Sequence, residues 1–151
     1  MLVEETLATP SSFRFTGRAL ATMHELPAAG PWPSDLTQER LIQVEQAMHF
    51  HFEWQVSGAL VPLLDRGFRW RIQVYFEKWG ISESAVAPNV TVSYIPVSGH
   101  TYRAVINLPA NSLSEGVYDM VAVLRLYDAS GKPLPVAGFE ELGKFQVYEQ
   151  A

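Results

Sequence analysis

The stretch Met48–Gly58, MHFHFEWQVSG, alternates strictly between apolar and polar residues. Met48, Phe50, Phe52, Trp54 and Val56 fall on one side, and His49, His51, Glu53, Gln55 and Ser57 on the other. Side chains of an extended chain point to opposite faces with a period of two. The segment therefore reads as a strand with one oily face turned inward.

The same rhythm continues downstream. In Phe68–Trp79, Phe68, Trp70, Ile72, Val74 and Phe76 share one face, and Arg69, Arg71, Gln73, Tyr75 and Glu77 the other. NVTVSYIP supplies a strand at 90–95, and TYRAVINLP another at 101–108. The strand expected at 117–127 is apolar on both faces, so it is either central and covered on both sides or half of an interface. The last strand begins KPLPVAG. Pro133 and Pro135 remove donors on one side, which predicts an edge strand, and GFEELG predicts a bulge or kink within it.

Upstream, DLTQERLIQVEQA is rich in helix formers, yet Leu41 to Glu45 also reads as a strand leading into the next. SSFRFTGRAL holds enough alternation for one short strand, and RALATMHEL is open between strand and a helical turn or two. ELPAAGPWPSD, residues 25–35, holds three prolines and a glycine and reads as a stiff linker. The expected division is an N-terminal arm with linker at 1–34 and a β-domain at 35–151. The fold expected is all-β: an antiparallel two-sheet β-sandwich of about seven strands with an N-terminal extension.

Composition bounds the function classes. A chain of 151 residues with 48% hydrophobic residues fits one domain with a core that needs no staple. No window approaches the ~20 apolar residues of a membrane span. MLVEETLATP has no basic or apolar run, so it does not read as a signal peptide. The chain has no cysteine, which excludes thiol catalysis and fits a cytoplasmic protein. Net charge is −5 with the 11 basic residues scattered, which argues against nucleic acid as a partner.

LSEGVYDMVAVLRL, residues 113–126, resembles the tyrosine corner of immunoglobulin-like and fibronectin-III-like sandwiches. The resemblance implies that Leu113 plugs the core, Gly116 supplies the turn, and the Tyr118 hydroxyl bonds back to a nearby backbone group. The inter-sheet cysteine pair of antibody domains is missing, although Trp70 stands where those domains keep a core tryptophan. Such a resemblance concerns architecture and leaves activity open.

Three readings of function compete. The first is a non-catalytic protein-interaction or assembly module, self-association included. It rests on the second apolar face of the 117–127 strand, where Val121, Val123, Arg125 and Tyr127 are the candidate interaction residues; the N-terminal arm or a second copy would cover them. The second is a metal-binding protein or small metal-dependent enzyme. His49 and His51 stand ~6.6 Å apart on one strand face, with Glu53 next in the row, a spacing that can converge on zinc or another divalent transition metal. That row is similar to the start of the cupin motif but lacks its later glutamate; His24 and His100 are the histidines left to close a site. The third is a carbohydrate-binding module using Trp32 and Trp79. Phosphate-binding glycine loops and nucleophile elbows are absent from the sequence.

Overall fold

The computed structural model describes residues 1–5, 12–23, 32, 40–64, 67–80, 82–83 and 86–150. These form ten strands and no α-helix, with a single 3-10 turn at Val61–Leu63. The strands are β1 Leu2–Glu5, β2 Arg14–Thr22, β3 Leu41–Gln43, β4 Met48–Ser57 and β5 Arg69–Lys78. They continue as β6 Ser82–Glu83, β7 Asn89–Ser93, β8 Thr101–Leu108, β9 Gly116–Tyr127 and β10 Pro133–Tyr148. No helix among the described residues is long and apolar enough to cross a membrane.

Two sheets hold all ten strands. The small sheet runs β2-β4-β8. The large one runs β1-β10-β9-β5-β6, with β7 beside β5 and β3 beside β10. Every pairing is antiparallel except β3 on β10.

Alternation places the core. Every even-numbered residue of β4 from Met48 to Val56 is buried, as are Trp70, Ile72, Val74 and Phe76 of β5 and Met120, Ala122, Leu124 and Leu126 of β9. The sheets meet through rings: Phe15 stacks on Trp70, Trp54 meets Trp70 edge-on, and Phe50 meets Phe76 edge-on at 5.8 Å. Burying one such side chain stabilises by roughly 2–3 kcal/mol. The indole N–H groups of Trp54 and Trp70 have no hydrogen-bond partner among the described residues, so burial and ring geometry hold this cluster.

At the corner before β9, Leu113 is buried, Gly116 takes φ 154°, and the Tyr118 hydroxyl donates to the Ser114 carbonyl at 2.8 Å.

Several elements differ from the sequence reading. The strand count is higher because short pieces complete the large sheet: β1 and β3 along β10, β6 along β5. The arm's strand is longer than one short strand and continues through Ala21 and Thr22 in β2. Phe13 and Phe15 point into the core, and they do not lie across the outer side of β9. β10 is not an edge strand. It lies between β9 and β1, and β1 pairs with Val136–Phe139, beyond both prolines. The register on β9 is irregular between Pro133 and Ala137, where the missing donors fall. The expected bulge is present: Leu142 is the inserted residue between Glu141 and Gly143, and Gly143 takes φ 85°. Of the stretch DLTQERLIQVEQA, residues 35–39 lie outside the described residues, and Leu41–Gln43 forms the strand β3.

Candidate functional site

The His-x-His-x-Glu row lies on the outer face of the small sheet, and its three members have separate fates. His49 faces Asn107 across β4 and β8, and its Nδ1–H donates to Asn107 Oδ1 at 2.7 Å. His51 is only 6% exposed, flanked in the ladder by Leu20 and Val105, and its Nε2 has no partner among the described residues. Burial, with the neighbouring His49, holds its pKa below the ordinary histidine range. Glu53 is bound by Arg18 at 2.8 Å and Arg103 at 2.9 Å. Partial burial pushes this carboxyl upward, but the two arginines outweigh it and hold the pKa below its usual value.

A carboxylate held between two guanidiniums has few lone pairs left for a metal. Among the described residues no three histidine or acidic side chains gather closely enough to hold an ion. His100 packs edge-on against Tyr102. His24 lies outside the described residues.

The two loop tryptophans are not brought together. Arg18 of the small sheet lies over the Trp32 ring at 4.3 Å. Trp79 follows β5 of the large sheet in a turn, where its Nε1–H donates to Asp119 and Lys144 lies over its ring at 4.3 Å. Each ring already has a cation on one face.

The outer face of the large sheet carries the other candidates. β9 is its central strand, so Val121, Val123, Arg125 and Tyr127 project from the middle of that face. Register fixes the neighbours in rows running β5, β9, β10. These are Arg71–Arg125–Ala137, Gln73–Val123–Phe139, Tyr75–Val121–Glu141 and Glu77–Asp119–Lys144. Arg69 stands opposite Tyr127, and with Arg71, Thr91 and Gly131 they line a shallow cavity of about 190 Å³.

This face has an apolar middle and two charged ends. Tyr75, Val121, Val123 and Phe139 form the middle, with Phe139 37% exposed. Arg69, Arg71 and Arg125 form one end; Glu77 and Asp119, with Lys144 beside them, form the other, and Glu141 flanks the middle row. All ten described strands belong to the two sheets, so no strand is stacked over this surface.

Sequence reasoning named the β9 members of this face and left out Tyr75, Glu77, Phe139 and Glu141. Odd–even parity was visible for β5, but only the register says which of its residues stands beside which residue of β9.

No protein-family model matches the chain, and no curated protein matches it. The likeness to solved structures is weak, as two of them show. The ApaA protein from Bordetella pertussis is 11% identical with a TM-score of 0.39, over 92% of this chain and 96% of that one. AvmM, which catalyses macrocyclization in alchivemycin A biosynthesis, is 9% identical with a TM-score of 0.37, over 91% of this chain and 90% of that one. Similarity at that level carries no argument about what this chain does.

Proposed function

We propose that the chain is a non-catalytic protein-interaction or assembly module of the cytoplasm, binding through the outer face of its large sheet. The observation that carries the reading is the row Val121, Val123, Arg125, Tyr127 on a central strand with no strand among the described residues stacked over it. Broad apolar patches on a face of this kind mark interaction sites more often than they occur as idle surface. The buried Leu113 and the Tyr118–Ser114 hydrogen bond support an immunoglobulin-like relation for the scaffold. The absence of cysteine supports the cytoplasmic placement.

The test is site-directed photo-crosslinking in the producing cell. A photoreactive residue at position 123 should give discrete covalent adducts, whereas the same group at exposed Gln55, on the opposite side of the molecule, should not. Equal labelling at the two positions, or none at either, refutes the reading.

A further inference from the structure

The partner of this face is a second copy of the same chain, we infer, docked about a two-fold axis that lies in the contact plane and runs across the strands. The inference rests on the interaction reading above and adds the identity of the partner.

The charge pattern carries it. Arg71 stands directly opposite Arg125, and Glu77 directly opposite Asp119. Like charges at facing positions of a ladder destabilise it. Among the described residues neither Arg71 nor Arg125 is in an ion pair. One end of the face thus carries two facing arginines without an ion pair, and the other two facing acids with Lys144 beside Asp119. Each row alone is a cost to the isolated chain, and each is what the other would bind.

Symmetry selects the axis. Arg71 and Glu77 are each three residues from Val74, and Arg125 and Asp119 are each three residues from Ala122, the partner of Val74 in the ladder. A two-fold across the strands at that level stacks β5 on β5 and β9 on β9 with directions reversed. Arg71 then meets Glu77 of the other copy, and Arg125 meets its Asp119. Val121 packs on Val123, and Tyr75 comes opposite Gln73. Arg69 comes over the indole of Trp79, a favourable cation–π partner. Lys144, in the row of Asp119, faces Ala137 of the other copy and already lies over the Trp79 ring that Arg69 approaches. A two-fold along the strands would instead set the arginine rows against each other.

The size suffices. The long strands β5, β9 and β10 at ~4.8 Å spacing and ~33 Å length, with the short β1, β6 and β7 beside them, give a face of about 650 Å² per copy, near the lower end for a specific interface. An isologous contact of this kind closes at the dimer.

Sedimentation velocity on four samples tests this: wild type, Arg71→Glu/Arg125→Glu, Glu77→Arg/Asp119→Arg, and an equimolar mixture of the two variants. Wild type should be a dimer that weakens with added salt. Each variant alone should raise the dimer dissociation constant at least about tenfold, since each presents one sign of charge to itself. The mixture should restore a dimer containing one chain of each. Circular dichroism checks that both variants fold; if either does not, Arg71→Gln/Arg125→Gln takes its place and should weaken the dimer without the mixed rescue. A monomeric wild type, or a dimer indifferent to these charges, overturns the inference. If wild type is monomeric while position 123 still gives adducts of other mass, self-docking fails and the interaction reading stands; if position 123 gives none, both fail.

Discussion

Gly58 offers a sharp test of how the N-terminal region is built into the fold. It follows β4 with φ 123°, a conformation L side chains rarely adopt, and a Cβ placed there would fall on the backbone of Ser12 and Phe13, well inside van der Waals contact. The segment it would strike is pinned. Leu60 N–H donates to the Ser12 carbonyl at 3.0 Å, and the Phe13 side chain is 0% exposed. Gly58→Ala therefore carries two costs. Backbone strain contributes about 1–2 kcal/mol, and relieving the clash by shifting buried Phe13 adds about 1–3 kcal/mol, as overpacking does. Gly99→Ala and Gly131→Ala are the controls. Both residues have positive φ, 82° and 85°, and nothing within 4 Å of the added Cβ, so they should show the strain alone. Urea unfolding followed by the fluorescence of buried Trp54 and Trp70 reads all three. Gly58→Ala should fall about 2–5 kcal/mol below wild type, against about 1–2 for the controls. Equal losses at the three glycines would refute the argument that Ser12–Phe13 is locked against the end of β4.

Tyr118→Phe removes the corner hydrogen bond to Ser114 and leaves its carbonyl unpaired, so urea unfolding should show a loss of about 1–2 kcal/mol; no loss means the corner adds no stability. His51 is held neutral in the fold, so its contribution is complete above the ordinary histidine pKa and declines as pH falls below it. Stability measured from pH 7 to pH 5 should drop with a slope of at most about 1.4 kcal/mol per pH unit from this residue, and His51→Leu should flatten the curve. An unchanged slope would mean His51 is not neutral and buried as described. Because Glu53 is engaged by Arg18 and Arg103, zinc should not raise the melting temperature of the purified protein, and His49→Ala/His51→Ala should respond identically. A zinc-dependent rise lost in the double variant would make the row a metal site.

Where strands are long and half-buried, the sequence sufficed. β4 and β8 run from Met48 to Ser57 and Thr101 to Leu108, matching the alternation to the residue, and β9 is central, with no strand among the described residues over its second apolar face. Legibility fails where the determining information belongs to a neighbour. β2 lacks a strong pattern because one inward position is Gly17, where a Cβ would crowd Trp54 at 3.1 Å. β1, β3 and β6 are too short to show any period. The proline rule misplaced β10 because it applies residue by residue: β1 joins the strand only past Pro135. His51 reads as a solvent-facing residue on β4 alone and becomes buried between Leu20 and Val105. The charged rows of the large sheet are illegible for the same reason. Nothing in the separate strings RWRIQVYFEK and GVYDMVAVLRLY says that Arg71 will stand beside Arg125.

The claim that two copies join through the large sheet is tested most directly by one distance. The chain has no cysteine, so Tyr127→Cys accepts a single spin label of roughly the volume it replaces. Tyr127 lies five residues from Ala122, the level of the two-fold axis, so the labels of a dimer should stand about 34 Å apart, combining ~33 Å along the strands with ~10 Å between sheets. Pulsed dipolar spectroscopy should return that distance. A separation near 10 Å, or no coupling between chains at all, would contradict the account.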